Sequence, residues 1–449
     1  MGRILNILVD LIIIYGSILL SYMILNHTNH LEDFAANFGA FEIIAPFVFM
    51  LYLIFMYTFG LYNTIRKKLS NVVYTVFLVS IFLMVGIMAV CFFVREGAFA
   101  FPRSVILLSS VFLFTGLCAW RSLLWYLSRK AHGKKNILVI GPSAEKLTTI
   151  ILNKYTELYI PLCQTCINWD NLDSLIQQSD EVLLTDGVSF QDREILFRLV
   201  AKQGKEIFFV PCYSDLDIKA SSFQKFDDIP TFYISRMEMT LEERFMKRAF
   251  DLVLGSVAFL LALPIGIIVA VFVKMDKGSI FYAQERLTRD KKSFKVLKFR
   301  TMVPDAEKIS GPVLAGEDDP RITKVGRFIR AVRLDELPQI LNILKGDMSI
   351  VGPRPERPFF TQQFEEQVPE YPHRLKVKAG LTGYAQVEGK YNTVMEDKLR
   401  YDLIYINNYS FWKDLVIVMQ TIKILFMKES TEGVSQENTV PSQYRVEER

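Results

Sequence analysis

Cysteine is scarce in this chain, with five residues in 449, which is too few to build a disulfide framework. Charged residues make up only 22% of the chain, whereas hydrophobic residues make up 51% and the mean hydropathy is +0.23. These figures exclude intrinsic disorder and collagen-like repeats. The chain is too apolar for a purely soluble protein and too charged for one wholly in a membrane, and its length allows about two to four domains.

The apolar excess is concentrated in residues 1–128. Four runs there approach the roughly 20 residues that a helix needs to cross a bilayer: Ile4–Leu25, Phe41–Tyr62, Val72–Val94 and Val105–Leu127. The first run lacks an A-x-A cleavage site and is longer than the apolar part of a signal peptide, so we expect it to stay attached. Asp10, inside this run, either marks an ion path or faces a neighbouring helix or the interface.

The loop at residues 26–40 contains no lysine or arginine, whereas the next loop carries Arg66, Lys67 and Lys68. The segment after the fourth run is also basic. Because cytoplasmic loops are enriched in positive charge, we expect four transmembrane helices with both termini in the cytoplasm.

Short apolar strands alternate with helical patterns after residue 134, at Asn136–Ile140, Glu181–Leu184 and Glu206–Val210. This alternation predicts a doubly wound, Rossmann-like α/β domain. The first strand is followed by GPSAEK and not by the G-x-G-x-x-G of a dinucleotide site, which favours a structural or regulatory domain without a bound dinucleotide. Cys163 and Cys166 form a C-x-x-C without further zinc ligands, so they are either a redox pair or a coincidence of spacing.

Leu252–Val273 contains no charged residue and is long enough for a fifth span. Basic residues both precede it, at Lys247, and follow it, at Lys274, so both ends are expected on the cytoplasmic face. Pro264 lies inside the run and is expected to kink the helix. We therefore predict a re-entrant helix; the alternative is a fifth span that would put residues 274–449 outside the cell.

A basic segment follows, in which FKVLKFR predicts a strand with one basic face that directs Lys298 and Arg300 at a common anionic target. Beside a membrane helix, the available anions are lipid headgroups and phosphates. Further on, Pro338 and the helical pattern of Gln339–Leu344 put two acidic residues at a helix N-terminus. These residues, Asp335 and Glu336, are either a nucleophile and a metal ligand or ordinary capping residues.

Three ordered motifs carry a family resemblance: KFRTM at 298–302, RLDELPQILNILKGDMSIVGPRPE at 333–356 and KAGLTGYAQVEG at 378–389. Over residues 243–428 the chain resembles the bacterial sugar transferases that prime polysaccharide synthesis, the polyprenyl-phosphate hexose-1-phosphate transferases, or large monotopic phosphoglycosyl transferases. The chain departs from the family pattern at Leu263, before the kink proline, and at Ala379.

The resemblance implies an enzyme that transfers a sugar 1-phosphate from a UDP-sugar to undecaprenyl phosphate and releases UMP. It implies that Asp335 is the nucleophile and that Glu336 is the ligand of Mg²⁺. It also implies a set of basic phosphate-binding positions: Lys298, Arg300, Arg330 and Arg354. Tyr384 and Gln386 are implied near the nucleotide, although a turn followed by a strand would need the same residues.

The expected architecture is α/β with membrane helices. It comprises a four-helix transmembrane domain at 1–130, a Rossmann-like domain at 134–235, a re-entrant helix with a mixed α/β catalytic domain at 243–430, and a polar tail at 431–449. We expect the protein in the bacterial cytoplasmic membrane with its catalytic domain on the cytoplasmic face. Membrane lipids are expected partners, nucleic acid is not, and a homodimer would give the middle domain a role. The alternative function is a non-catalytic membrane scaffold or sensor of a polysaccharide assembly complex.

Overall fold

The fold is described from a computed structural model of the chain. The structure describes residues 3–28, 34–61, 69–93, 101–234, 238–276, 278–303, 319, 321–389 and 393–425. Some sequence features therefore lie outside the described residues: Tyr62, Val94, the basic loop at 66–68, Lys277 and the tail at 431–449.

The four N-terminal apolar runs form four long helices. These are α1 (Arg3–His27), α2 (Phe34–Thr58), α3 (Leu69–Phe93) and α4 (Arg103–His132). Each is long and apolar enough to cross a membrane, as is one later helix, which gives five candidates in the described chain. The prediction of several candidate membrane helices together with mixed α/β structure is confirmed, whereas the arrangement of four spans and one re-entrant helix stays a prediction.

Asp10 faces neighbouring helices, which was one of the two alternatives for this residue. Its carboxylate is fully buried and accepts hydrogen bonds from Arg121 of α4 and Tyr52 of α2. Arg121 also donates to the carbonyl oxygen of Leu61 at 3.3 Å. An ion pair buried among apolar helices therefore joins α1 to α4.

A four-stranded parallel sheet follows, with strand order β2-β1-β3-β4 and helices between the strands. Its elements are β1 (Lys135–Ile140), α5 (Ala144–Lys154), β2 (Tyr159–Gln164), α6 (Trp169–Gln178), β3 (Glu181–Leu184), α7 (Phe190–Lys202) and β4 (Glu206–Phe209). The alternation predicted here is confirmed. The pattern did not reveal β2, which contains Pro161 and lies at an edge of the sheet, where proline is tolerated.

The single glycine after β1 has a packing role. Gly141 has φ +121°, and a Cβ atom there would lie 2.3 Å from Oγ1 of Thr185. The backbone N–H of Ser143 donates to that oxygen at 3.3 Å. Cys163 is buried within β2 while Cys166 is exposed, and neither forms a disulfide in the described residues.

The chain divides into two compact units, one over residues 1–210 and one over residues 211–435. Residues 211–234, which we expected in the middle domain, therefore belong to the second unit. Leu216 packs there in a core with Leu403 and Ile417.

In its described residues the second unit contains three two-stranded sheets and several helices. Its elements are α8 (Tyr213–Ala220), β5 (Ser222–Phe226), β6 (Ile229–Tyr233), α9 (Leu241–Met275), β7 (Phe281–Leu287), β8 (Ser293–Phe299), α10 (Lys324–Ala331), α11 (Gln339–Lys345), β9 (Ser349–Val351), α12 (Pro358–Gln367), β10 (Gly380–Thr382), α13 (Tyr384–Glu388), α14 (Met395–Asn407) and α15 (Phe411–Leu425). The strands pair as β5–β6, β7–β8 and β9–β10.

Helix α9 contains the fifth apolar run and continues through Pro264 without a break in helical structure. A capping box formed by Thr240 and Glu243 starts it. Its 35 residues correspond to a length of about 50 Å at 1.5 Å per residue. Kinking at Pro264 and re-entry stay predictions.

Candidate active site

The two candidate acidic residues lie in a short 3-10 turn, Leu334–Glu336, between α10 and α11. Arg333, which precedes the turn, has the left-handed backbone conformation, with φ +56°. This conformation is unfavourable for a non-glycine residue and recurs at functional sites. Helix α11 then begins after Pro338 and ends at Gly346, where φ is +98°, as the sequence pattern predicted.

Glu336 is paired with two of the predicted basic residues. The Nζ atom of Lys298 lies 2.7 Å from Oε1 of Glu336, and Nη2 of Arg354 lies 3.4 Å from the same oxygen. Lys298 comes from β8, directly opposite Tyr282 of β7, and Arg354 comes from the loop after β9. Strand, turn and loop therefore bring two cations to one carboxylate.

The surroundings of Asp335 and Glu336 act differently on the two carboxyl groups. Burial raises the pKa of Asp335, and the negative charge of Glu336 raises it further against the opposing charges of Lys298 and Arg330. Burial would also raise the pKa of Glu336, but the charges of Arg354 and Lys298 outweigh it and lower that pKa to about 2. Glu336 is thus ionised at neutral pH, and Asp335 is the more basic carboxylate.

Arg330 reaches the site from the last turn of α10. Its Nε atom donates to Oγ1 of Thr301 at 2.7 Å, and its charge lowers the pKa of Asp335. Helix α10 comes close to the segment after β8 here because Gly326 of α10 lies against the backbone of Thr301. A Cβ atom at Gly326 would be 2.0 Å from the Thr301 carbonyl oxygen.

The described contacts of Arg300 differ from those of Lys298. Arg300 follows the end of β8, is buried, and donates from Nη2 to the carbonyl oxygen of Val273 at 3.2 Å. Its guanidinium also lies against Gly278. Because Val273 is in the last turn of α9, the contact satisfies a carbonyl group at that helix end.

The described contacts of Tyr384 and Gln386 are with Tyr401, Lys413 and Leu381. The ring of Tyr384 packs against Tyr401, and Nζ of Lys413 lies 4.9 Å from its centre. Gln386 donates to the carbonyl oxygen of Leu381 at 3.3 Å. Both residues lie in the short helix α13, so the alternative of a turn followed by a strand is not seen at these positions, and their place near the nucleotide stays a prediction.

Asn342 is a positioning residue that the sequence pattern did not single out. Its side chain is buried, accepts from the backbone N–H of Leu297 at 3.0 Å and donates to the carbonyl oxygen of Lys295 at 2.8 Å. The Asn342 side chain therefore connects α11 to β8 through two backbone groups of the strand, as the backbone of a neighbouring strand would. The acidic turn and Lys298 are held in register by this contact.

Asp335 and Glu336 are the acidic groups that could hold a divalent cation here. Among the described residues, no group of three or more His, Cys, Asp and Glu side chains could do so. Mg²⁺ is commonly held by one or two carboxylates together with substrate phosphates and water. An ionised Glu336 could be the carboxylate of such a donor set. The described residues do not provide a site made of protein ligands alone.

Residues 242–428 match the family model described as "Bacterial sugar transferase". The family resemblance expected from the three motifs is confirmed over this region. The site residues Lys298, Asp335, Glu336 and Arg354 all lie within it.

Several curated relatives match this chain over part of its length. An Aeromonas hydrophila protein named UDP-N-acetylgalactosamine-undecaprenyl-phosphate N-acetylgalactosaminephosphotransferase is 39% identical over 185 residues, 40% of this chain and 44% of the relative. An Escherichia coli UDP-glucose:undecaprenyl-phosphate glucose-1-phosphate transferase is 37% identical over 223 residues, 48% of each chain. A Haemophilus influenzae protein named as an uncharacterized sugar transferase is 31% identical over 297 residues, 62% of each chain. The chain spans about half the length of the curated relatives it matches.

Proposed function

We propose that this chain, which belongs to the bacterial sugar transferase family through residues 242–428, transfers a sugar 1-phosphate from a UDP-sugar to undecaprenyl phosphate and releases UMP. The observation that carries the proposal is the acidic pair, in which Glu336 is neutralised by Lys298 and Arg354 while Asp335 is the more basic carboxylate. The names of the Aeromonas and Escherichia relatives supply the substrate class.

In the first step, a carboxylate oxygen of Asp335 attacks the β-phosphorus of the UDP-sugar. The bond from this phosphorus to the bridging oxygen breaks, and UMP leaves with the electron pair. In the second step, a phosphate oxygen of undecaprenyl phosphate attacks the same phosphorus and releases the Asp335 carboxylate. The sugar 1-phosphate is then carried by the lipid as a diphosphate.

Positive charge from this chain stabilises the negative charge on the transferred phosphoryl group. Phosphoryl transfer depends mainly on positioning and on such charge stabilisation. Lys298 and Arg354 both contact Glu336, and the charge of Arg330 acts on Asp335, so we expect these cations to meet a phosphate bound at the turn. Among the described hydrogen bonds of Asp335, the donor to its carboxylate is its own backbone N–H, which leaves carboxylate lone pairs for attack.

We include Mg²⁺ in the proposal, held by Glu336 together with the substrate diphosphate. A bound Mg²⁺ would supply additional charge neutralisation on the phosphate oxygens. Glu336 is suited to this because its pKa of about 2 keeps it ionised at neutral pH.

The proposal also includes a re-entrant α9 on the cytoplasmic face. Near its start, Lys247 pairs with Asp414 at 2.6 Å, and Arg248 donates to the carbonyl oxygens of Ile343 and Leu344. Near its end, Val269 and Val273 pack in a core with Phe299 and Ile329. Both ends thus contact one folded unit, while apolar residues between them are exposed. A single unit cannot lie on both sides of a bilayer, which favours re-entry over a fifth span.

Such an arrangement would bring a water-soluble UDP-sugar and a lipid phosphate to one site at the membrane surface. The positive charge of the loops favours the cytoplasmic face for it. Formation of a homodimer stays a prediction.

The full-length protein in membranes should be supplied with a panel of radiolabelled UDP-sugars and undecaprenyl phosphate. We expect UMP release and a butanol-soluble labelled product, with both lost in Asp335→Asn. Asp290→Asn, an exposed acidic residue of the same unit, is the matched control and should retain both. Release of UDP would identify an ordinary glycosyltransferase, and unimpaired transfer by Asp335→Ala/Glu336→Ala would support the scaffold.

A further inference from the structure

The loop that carries Arg354 is held by its carbonyl groups. Pro353 and Pro355 have no backbone N–H to donate, so hydrogen bonds to the backbone of this segment are made mainly through its carbonyl groups. Four consecutive carbonyl oxygens each accept a hydrogen bond. The donors, for residues 353 to 356 in order, are the Gly380 N–H at 2.9 Å, Arg374 Nη2 at 3.0 Å, Arg286 Nη1 at 3.1 Å and the Leu287 N–H at 3.1 Å.

Arg374 is the most enclosed side chain among these donors. Its side chain is 7% exposed, and its guanidinium is fixed by two further partners. Asp402 of α14, 2% exposed, accepts from Nε at 2.9 Å and lies 2.8 Å from Nη2. The hydroxyl of Tyr371 accepts from Nη1 at 2.6 Å. The planar guanidinium therefore has one orientation, and in it Nη2 is directed at the Arg354 carbonyl.

The side chain of Arg354, by contrast, is only loosely held. It is 45% exposed, and its Nη2 lies 3.4 Å from Glu336, at the long limit for a hydrogen bond. The place of its guanidinium consequently depends on where the loop backbone puts Cα of residue 354. The Arg374 contact is made directly to that residue's own backbone.

We propose that Arg374, oriented by Asp402 and Tyr371, is a positioning residue that acts through Arg354 to place its guanidinium on the β-phosphate of the nucleotide. This inference rests on the proposed function. Arg374 itself does not touch the substrate; its effect on binding passes through the Arg354 carbonyl.

A purely structural role is the competing explanation, and the chain offers a matched control for it. Lys247 and Asp414 form another buried ion pair in the same unit, with side chains 7% and 1% exposed. That pair joins α9 to α15 and makes no described contact with residues 353–356. Loss of either ion pair should loosen the unit to a similar degree. Only the pair of Arg374 and Asp402 includes a residue that bonds to the backbone of Arg354.

The test is a double-mutant cycle on UDP binding by the full-length Asp335→Asn protein in detergent or nanodiscs, with Mg²⁺ in every sample. We expect Arg374→Gln to weaken UDP binding by roughly 10- to 100-fold, the range for losing one hydrogen bond to a charged group. In an Arg354→Gln background, the same change should weaken binding by less than about twofold, since its effect passes through Arg354. Lys247→Gln should change UDP affinity by the same factor whether residue 354 is arginine or glutamine.

An equal factor for Arg374→Gln in both backgrounds would overturn the inference. If Arg374→Gln does not fold, Tyr371→Phe gives the same test, because it removes one partner and keeps the Asp402 pair. Its effect should be smaller and should also vanish with Arg354→Gln. A parent protein that does not bind UDP, or a wild type that releases no UMP, would overturn the proposed function as well, whereas a parent that binds UDP without this coupling overturns the positioning role alone.

Discussion

Asp335 and Glu336 are consecutive residues of one 3-10 turn, and their surroundings move their pKa values in opposite directions. Lys298 is shared between them, since it bonds to Glu336 and its charge also acts on Asp335. One turn therefore presents two different carboxylates. Glu336 is ionised at neutral pH, whereas Asp335 takes up its proton at a higher pH than Glu336 does. This difference is the basis for dividing the chemistry between them.

The acid limb of the pH profile should report the ionisation of Asp335. The group must be deprotonated to attack, and its pKa is raised above the ordinary 3.8, so UMP release should fall as the pH drops through that raised value. Glu336→Gln removes the neighbouring negative charge that contributes to this shift. The limb of its residual activity should move to lower pH, as measured by UMP release across a pH series.

The matched control for this profile is Glu365→Gln, an acidic residue paired with Lys291 away from the turn. Its acid limb should coincide with that of the wild type. A limb that stays in place in Glu336→Gln, or moves to higher pH, would contradict the assignment of Asp335 as the titrating group.

Lys247→Met should loosen α15. It leaves Asp414 buried without its cation, which typically costs about 3–5 kcal/mol. Hydrogen exchange of the α15 amides should therefore accelerate. Lys247→Met/Asp414→Leu, which removes both charges, should recover much of the protection. Lys345→Met, in an exposed pair with Asp347, should change exchange little, and equal effects of the two single variants would argue against a buried anchor.

Gly326→Ala should lower both stability and UMP release. The new methyl group would lie 2.0 Å from the Thr301 carbonyl oxygen, so α10 must move and take Arg330 away from Thr301. Overpacking of this kind commonly costs about 1–3 kcal/mol. Thermal unfolding and UMP release should both be measured. Gly16→Ala, where no atom lies within 4 Å of the added carbon, is the control and should be tolerated; equal behaviour of the two would exclude the predicted clash.

The two ends of α9 should be accessible from the same side of the membrane. In a background with all five cysteines replaced by serine, Glu242→Cys and Asp276→Cys flank the helix at exposed positions. A membrane-impermeant maleimide should label both in inverted vesicles and neither in spheroplasts. Thr28→Cys, at the end of α1, should show the reverse pattern. Opposite labelling of the two α9 variants would mean that α9 crosses the membrane.

The sequence was informative where one local pattern determines the outcome. Unbroken apolar runs predicted α1 to α4, and the proline before a helical pattern with a following glycine predicted α11. The motifs also predicted that Lys298 and Arg354 would lie with the acidic pair.

What the sequence could not supply were contacts set by the three-dimensional path of the chain. Arg300 was expected beside Lys298, but the end of β8 turns it towards the last carbonyl groups of α9. Arg374 reaches Asp402, 28 residues away, and the backbone of Arg354, 20 residues away. No periodicity or spacing rule encodes such pairs, because they depend on how separate elements pack.

The buried pair of Asp10 and Arg121 bears on how the membrane helices are assembled. The two residues are 111 positions apart, so at about 5–20 residues per second the ribosome delivers Arg121 roughly 6–20 s after Asp10. During this interval α1 carries a carboxylate whose cation has not yet been made, and an unpaired charge is costly inside a bilayer. We therefore expect α1 to take its packed position only after α4 has been made, so that the contact between these two helices forms late in the synthesis of the bundle.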